Sequence, residues 1–286
     1  MGPAPQQEDL LDHCLVARSL GLLRGPRWTV AGRALLERLE EALASAANSL
    51  GTARRHRVEP HPACRLPSGD RAWGVDLAPG ERGLALEAFG RLATALGLRP
   101  GVVDRAWGAE LHLEDGWGRS WSLASLREDG DAPLRVLFPG PSEAVLAVML
   151  EQRRPWPLWL APEQVRVLAV GKAQSAAAAQ VAERLGRGGV RATAPAPTAP
   201  LAGRIRAAHA DRVPCIAVVG AREAVAEAVA LRTACAGLCP GVLPRETFAL
   251  ALEGAAHFHW NPARVATVAA RGLSPRDRQE ESHSIP

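Results

Sequence analysis

The sequence predicts an α/β protein of two domains, the second a parallel or mixed sheet covered by helices. Between Trp156 and Thr233, short apolar runs bounded by Pro and Gly (Val165 to Val170, Val190 to Ala194, Cys215 to Val219) alternate with helical patterns (Ala173 to Leu185, Leu201 to Ala210). That alternation is the signature of strand–helix–strand units. Upstream, WGAELHLEDGWGRSWSLASL alternates apolar and polar residues on both sides of Asp115-Gly116-Trp117-Gly118, which signals a hairpin. The length of 286 residues gives room for two modest domains with a core each. The expected division is 1–154, 155–270 and a charged tail, 271–286, too polar to pack.

Taken in order, residues 8 to 23 read as a short amphipathic helix ending at Gly21. WTVAGRALLERLEEALASAANSLG reads as a second, with Leu35, Leu36, Leu39, Leu43 and Ala46 on one face and a stop at Gly51. ARRHRVEP predicts an extended strand closed by Pro60; its basic run Arg54, Arg55, His56, Arg57 reads more simply as a solvated edge than as a nucleic-acid site. A Pro/Gly-rich passage, HPACRLPSGDRAWG, leads to a helix, ERGLALEAFGRLATALGL, expected to stop at Arg99-Pro100-Gly101. After the hairpin, PSEAVLAVMLEQRR predicts a helix with Ser142 as its cap, and Arg153-Arg154-Pro155 marks the junction. The last helix is expected at Arg245 to Ala255, followed by HFHWNPARVATVAARGL.

Composition constrains function weakly. A net charge of +4 permits contact with a polyanion without requiring one. Five cysteines, Cys14, Cys64, Cys215, Cys235 and Cys239, are an odd number in a chain that needs no covalent staples, so reduced thiols in a cytoplasmic protein are expected. MGPAPQQEDLLDH shows neither a secretory nor an Arg-rich leader pattern, and no apolar run approaches the roughly 18–20 residues of a membrane span.

The chemistry-bearing motifs are sparse. Gly171-Lys172 follows a strand and precedes a helix, but the glycine-rich turn of a phosphate loop and the Ser or Thr after the lysine are absent. His61 with Cys64, Cys235 with Cys239, and His257 with His259 have metal-like spacings, yet no two pairs combine into a four-ligand pattern. No nucleophile turn and no catalytic pair of carboxylates stands out. Neither a metal nor a cofactor is expected.

PLWLAPEQVRVLAV, RIRAAHADRVPCIAVVGAREAV and VALRT together resemble the anticodon-binding domain of bacterial threonyl-tRNA synthetase. Upstream, LLDHCLVARSLGLL, WTVAGRALLERLEEAL with RRHRVEP, the hairpin and GPSEAVLAVMLE resemble segments of that family's class II catalytic domain, in the same order. The resemblance implies a shortened class II antiparallel sheet followed by an α/β anticodon-binding domain, with a homodimer formed through the second helix and the Pro60 strand. It also implies a degenerate catalytic centre. Ala144 stands where the family has an ATP-binding arginine, Arg135 where it has a zinc-binding histidine, and Cys64 and Leu66 where class II enzymes have an arginine and a glutamate. Guanidinium is always protonated and cannot ligand zinc. The family's second arginine in V-R-T-R is here Ala234, whereas Arg204, Arg206, Glu223 and Arg232 keep the family's RNA-contacting positions.

The resemblance therefore implies a non-catalytic accessory or regulatory protein that binds tRNA or another structured RNA. Two alternatives stay open: a remodelled amino-acid- or adenylate-binding ligase or transferase, and a protein-interaction subunit comparable to a DNA polymerase accessory subunit.

Overall fold

A computed structural model describes residues 12–258 except 68, 131, 153, 234 and 236. The expected tail, residues 8 to 11, Ala234 and the segment from His259 onward lie outside the described residues. The chain folds as α1 (His13–Ser19), β1 (Leu23–Arg24), β2 (Arg27–Trp28), α2 (Val30–Asn48), β3 (Arg54–Arg57), β4 (Arg71–Leu77), α3 (Arg82–Ala95), β5 (Arg99–Arg105), β6 (Gly108–Glu114), β7 (Ser120–Arg127), β8 (Leu134–Leu137) and α4 (Ser142–Glu151). The second half adds β9 (Val165–Ala169), α5 (Ser175–Arg187), β10 (Ala192–Thr193), α6 (Leu201–Ala210), β11 (Cys215–Val219), α7 (Ala221–Val225), β12 (Ala228–Leu231), β13 (Gly241–Pro244) and α8 (Arg245–Ala255).

The first sheet is antiparallel throughout, in the order β3-β4-β8-β7-β6-β5. Its side chains separate by the two-residue period of a strand. Val75, Leu77, Leu111, Leu113, Trp121, Leu126 and Val136 enter one core with Leu35, Leu39 and Leu43 of α2 and Phe89 and Leu92 of α3. The opposite face keeps Asp76, Glu110, His112, Ser122, Ser125 and Arg135. Helix α2 starts where Thr29 accepts the Gly32 amide at 3.0 Å and donates to the Gly21 carbonyl at 2.7 Å. At Gly32 a Cβ would meet the Leu22 carbonyl oxygen at 2.2 Å, so only glycine allows this approach.

The hairpin forms at the predicted place, and its turn is organised by Asp115. That carboxylate accepts the amides of Trp117 (2.8 Å) and Arg119 (3.0 Å), the Arg119 guanidinium (2.7 Å) and the Trp121 indole N–H (3.1 Å). Arg119 also meets Glu151, whose other oxygen pairs with His13 at 3.0 Å. The Arg65 amide donates to His13 Nδ1, which leaves the His13 proton on Nε2 for Glu151. Burial of Glu151 is thus matched by partners on both oxygens, as a buried charge requires.

Several expectations are corrected. The first helix is shorter, running from His13, capped by the Asp12 carboxylate, to Ser19; the exit at Gly21 (φ +70°) is as expected, and Leu23 belongs to the β1–β2 hairpin. The Pro/Gly-rich passage gives way to strand β4 from Arg71, and Arg99-Pro100-Gly101, ahead of which α3 ends at Ala95 as expected, also opens β5. Strand β5 is an edge strand, the place in a sheet where proline is tolerated. Ser142 lies inside α4, preceded by Pro141, and makes no capping bond.

The second sheet is mixed, in the order β10-β9-β11-β12-β13, with β10, β9 and β11 parallel and β12 and β13 antiparallel. Helices α5 and α8 cover one face through Val181, Leu185, Phe248 and Leu252 against Val165, Val167, Val219 and Val229. Helix α6 covers part of the other through Ala208 against Leu168, Ile216 and Val218. The segment after the junction packs backward: Trp156, Leu160 and Ala161 belong to the first core. Buried Gln164 holds the next joint, donating to the carbonyls of Leu158 (2.9 Å) and Ala256 (2.7 Å) and accepting the Arg191 amide (2.8 Å). Arg212, just ahead of β11, donates to the carbonyls of Met149 and Leu150 and so caps α4.

The expectation of five thiols is corrected at one pair: Cys215 and Cys235 form a disulfide. The reason is the antiparallel return of β12 beside β11, which brings the chain after Leu231 back past the start of β11. Among the described residues no helix is long and apolar enough to cross a membrane.

Candidate nucleic-acid interface

In the second sheet the chain leaves β9 through α5 to reach β10 on one side, then crosses through α6 to reach β11 on the other. The carboxyl ends of β9 and β11 are therefore a point where strand order reverses, the usual place for a binding crevice in such sheets. Two turns of the same construction flank it. Val170-Gly171-Lys172-Ala173-Gln174 and Val219-Gly220-Ala221-Arg222-Glu223 each end a strand in Val-Gly. In each, the side chain three residues on accepts the glycine amide, Gln174 at 3.2 Å and Glu223 at 2.9 Å. The turns are joined by the Val170 amide donating to the Val219 carbonyl at 2.9 Å.

The four residues named from the sequence do not form one cluster. Arg204 is only 9% exposed. It donates to the carbonyls of Ala199 (2.8 Å) and Val170 (3.2 Å), tying the loop before α6 to the end of β9. Arg206, two residues on, is exposed. Glu223 is half-buried and occupied by the Gly220 amide. Arg232 is exposed but lies at the other end of β11, where its amide donates to the Ile216 carbonyl at 2.9 Å. Gly220 lies four residue steps beyond Ile216, about 13 Å at ~3.3 Å per residue.

Two exposed cations outside the four-residue set, Lys172 after β9 and Arg222 on α7, join exposed Arg206 of α6 around the crevice. The signal for Lys172 and Arg222 was the strand order itself, since both follow a Val-Gly strand end, and that order is invisible in local patterns. Beside α6 the sheet face is left open at β12 and β13, where the cross-strand pair Ala230 and Val242 leads to Arg232, with Val242 64% exposed.

The first sheet and its helices bring the positions implied by the catalytic resemblance to different surroundings. Ala144 is fully buried in α4. Arg135 is exposed on β8 and pairs with Asp76 at 2.9 Å. Leu66 is buried, and burial pushes the Cys64 thiol up to about 11. Burial and the neighbouring His112 both lower the pKa of His61, which stacks on Trp121 at 4.8 Å. Zinc does not fit here: among the described residues no three His, Cys, Asp or Glu side chains converge.

Comparison with known proteins accords with this geometry. Residues 164–237 match the anticodon binding domain family. The chain is 30% identical over 198 residues to the threonine–tRNA ligase of Thermosynechococcus vestitus, covering 60% of this chain and 32% of that protein. It is 32% identical over 164 residues to the threonine–tRNA ligase of Burkholderia lata, covering 50% and 26%. The chain thus spans about a quarter to a third of the length of these relatives. In fold it is similar to the RNA binding domain of threonyl-tRNA synthetase from Cryptosporidium parvum Iowa II, with a TM-score of 0.59, 15% identity, and coverage of 86% of this chain and 98% of that one. Residues 164–237 thus match the anticodon binding domain family, in a chain similar over about half its length to threonine–tRNA ligases.

Proposed function

We propose that this chain binds tRNA or another structured RNA through its second domain and activates no amino acid, acting as an accessory or regulatory subunit. The match of residues 164–237 to the anticodon binding domain carries this reading. Exposed Lys172, Arg206, Arg222 and Arg232 supply the cations for phosphates and base edges, and unstacked loop bases are what a protein reads in RNA. Arg204 and Glu223 serve the same site from inside, by holding the turns that present those cations.

The silence of the first domain follows from charge. Adenylate formation requires cations preorganised around ATP phosphates, and here one implied position is a buried alanine while the Arg135 guanidinium is engaged by Asp76. The fold of this domain is used instead as a support, with two chains associating through α2 and β3. A gel shift with total tRNA, titrated with salt, tests RNA binding; threonine-dependent exchange of pyrophosphate into ATP tests activation. A shift without exchange is the expected result. Exchange above background would turn the reading towards a specialised ligase, which the polar sheet face with Glu110, His112, Ser122 and Ser125 favours. A monomer by light scattering would remove the dimer from the proposal.

A further inference from the structure

The joint between the two domains encloses a cavity of about 170 Å³ lined by Arg38, Glu41, Ser45, Trp159, Arg191 and His257. Two guanidinium groups meet there. Arg38, from the middle of α2, donates to the Leu160 carbonyl from Nε and Nη2 at 3.3 and 3.2 Å. Arg191, from the segment entering β10, donates to the carbonyls of Ala161 (2.8 Å) and Trp159 (2.7 Å). Both act on one turn of the backbone, and the Nη1 groups of both remain without a hydrogen-bond partner among the described residues.

Half-buried arginines elsewhere are neutralised: Arg82, Arg119, Arg166 and Arg184 each face two carboxylates, and Arg245 faces one. Arg38 and Arg191 form no ion pair among the described residues, although exposed Glu41 lines the same cavity. Burial lowers the pKa of both, and the nearby charge of Arg38 adds to burial in taking Arg191 down to about 10; Glu37 acts on Arg38 in the opposite direction. Two like charges lining one cavity, partly removed from water, are an unfavourable arrangement that a bound anion reverses. Trp159 and Phe258, whose rings lie 4.7 Å apart, also line the cavity.

We infer that the cavity between Arg38 and Arg191 binds an oxyanion, a phosphate or carboxylate group, whose attached organic part rests on Trp159 and Phe258. Guanidinium forks suit the paired oxygens of such groups, and the Ser45 hydroxyl adds a donor. The site is separate from the RNA-binding edge and stands whether or not that reading holds.

The test is thermal unfolding and calorimetric titration of the full chain with inorganic phosphate, against chloride at equal ionic strength. A saturable rise in Tm of about 5 °C with phosphate alone is expected, since a ligand that binds only the folded state stabilises it. Arg38→Gln and Arg191→Gln each abolish the response. Because both also brace the turn, Ser45→Glu supplies an independent variant: it places a tethered carboxylate in the cavity and weakens phosphate binding at least tenfold without loss of fold. Equal effects of phosphate and chloride, or an unchanged phosphate response in Ser45→Glu, would overturn the inference. Repeating the titration with saturating tRNA separates the two sources of oxyanion: a response that persists marks a free small anion, and one that disappears marks an RNA phosphate.

Discussion

Arg204→Met distinguishes a residue that holds the RNA-binding edge from one that touches RNA. The substitution keeps most of the side-chain volume and removes two charge-assisted bonds, to the carbonyls of Ala199 and Val170. Such bonds contribute about 1.5–3 kcal/mol each. Two effects offset the loss: the guanidinium no longer has to be desolvated, and water reaches both carbonyls, since Ala199 and Val170 are exposed. A net cost of about 1–2 kcal/mol remains, or roughly 4 °C in Tm for a protein of this size. Thermal unfolding by circular dichroism reads that loss. The companion measurement is tRNA affinity as a function of salt. Removing one phosphate contact to single-stranded RNA reduces the slope of log K against log salt by about 0.7. Arg204→Met is expected to leave the slope unchanged while lowering Tm, and Arg206→Gln to do the reverse. A normal Tm with a reduced slope in Arg204→Met would refute the internal role assigned to Arg204.

Further outcomes follow from the same geometry. Glu223→Ala removes the acceptor of the Gly220 amide and is expected to cost about 1 kcal/mol in urea unfolding, whereas Glu223→Gln keeps an acceptor and stays close to wild type; equal losses would remove the capping role. Alkylation of the unfolded, unreduced chain is expected to modify Cys14, Cys64 and Cys239, and after reduction also Cys215 and Cys235; five reactive thiols before reduction would refute the disulfide. In the folded chain at pH 8, exposed Cys239 reacts first and Cys64 slowest, by roughly two orders of magnitude, because a thiol near 11 holds little thiolate there. Burial of Asp115 works against its charge, but bonds from the Trp121 indole, the Arg119 amide and guanidinium and the Trp117 amide together hold its pKa below the ordinary carboxylate value. Its contribution is then complete above the unfolded value of about 3.9 and is lost as pH falls through the lower folded value. Urea midpoints should hold between pH 7 and pH 5 and fall below about pH 4, with Asp115→Asn converging on wild type at the acid end; a constant gap would show that the charge of Asp115 carries none of this stability.

Elements whose signal is local were legible in the sequence. The α6 and α8 spans follow from helical periodicity, and the β6–β7 hairpin from Asp115-Gly116 between alternating runs. Strands β4, β5 and β8 were not, for separate reasons. RAWGVDL sits behind a Pro/Gly-rich passage, RPGVVDR opens with residues that normally interrupt structure, and LRVL is four residues long. Each is stabilised by neighbours distant in sequence, as tertiary pairing overrides local preference. The candidate site divides along the same line. The residue types at Arg204, Arg206, Glu223 and Arg232 were readable, but their exposure was not, because it depends on how α6 and β12 return to β11. The Cys215–Cys235 pair was missed for that reason as well: twenty residues of sequence separate the two cysteines, and only the strand return joins them.

The residues that make the resemblance visible are largely those that hold the fold together. In WLAPEQVRV, Gln164 is fully buried and satisfies three backbone groups from the linker, the β10 entry and the end of α8. Arg204 and Glu223 likewise spend their hydrogen bonds on backbone. Buried polar groups resist substitution because an orphaned partner is costly, so such residues mark a retained architecture irrespective of what its surface binds. The side chains free to meet RNA, Lys172, Arg206, Arg222 and Arg232, are exposed and carry no comparable structural constraint. Their grouping on the second domain, three of them around the edge where strand order reverses, is consequently a better guide to function than the motif that first draws attention. Those four cations are therefore where the RNA-binding reading is tested.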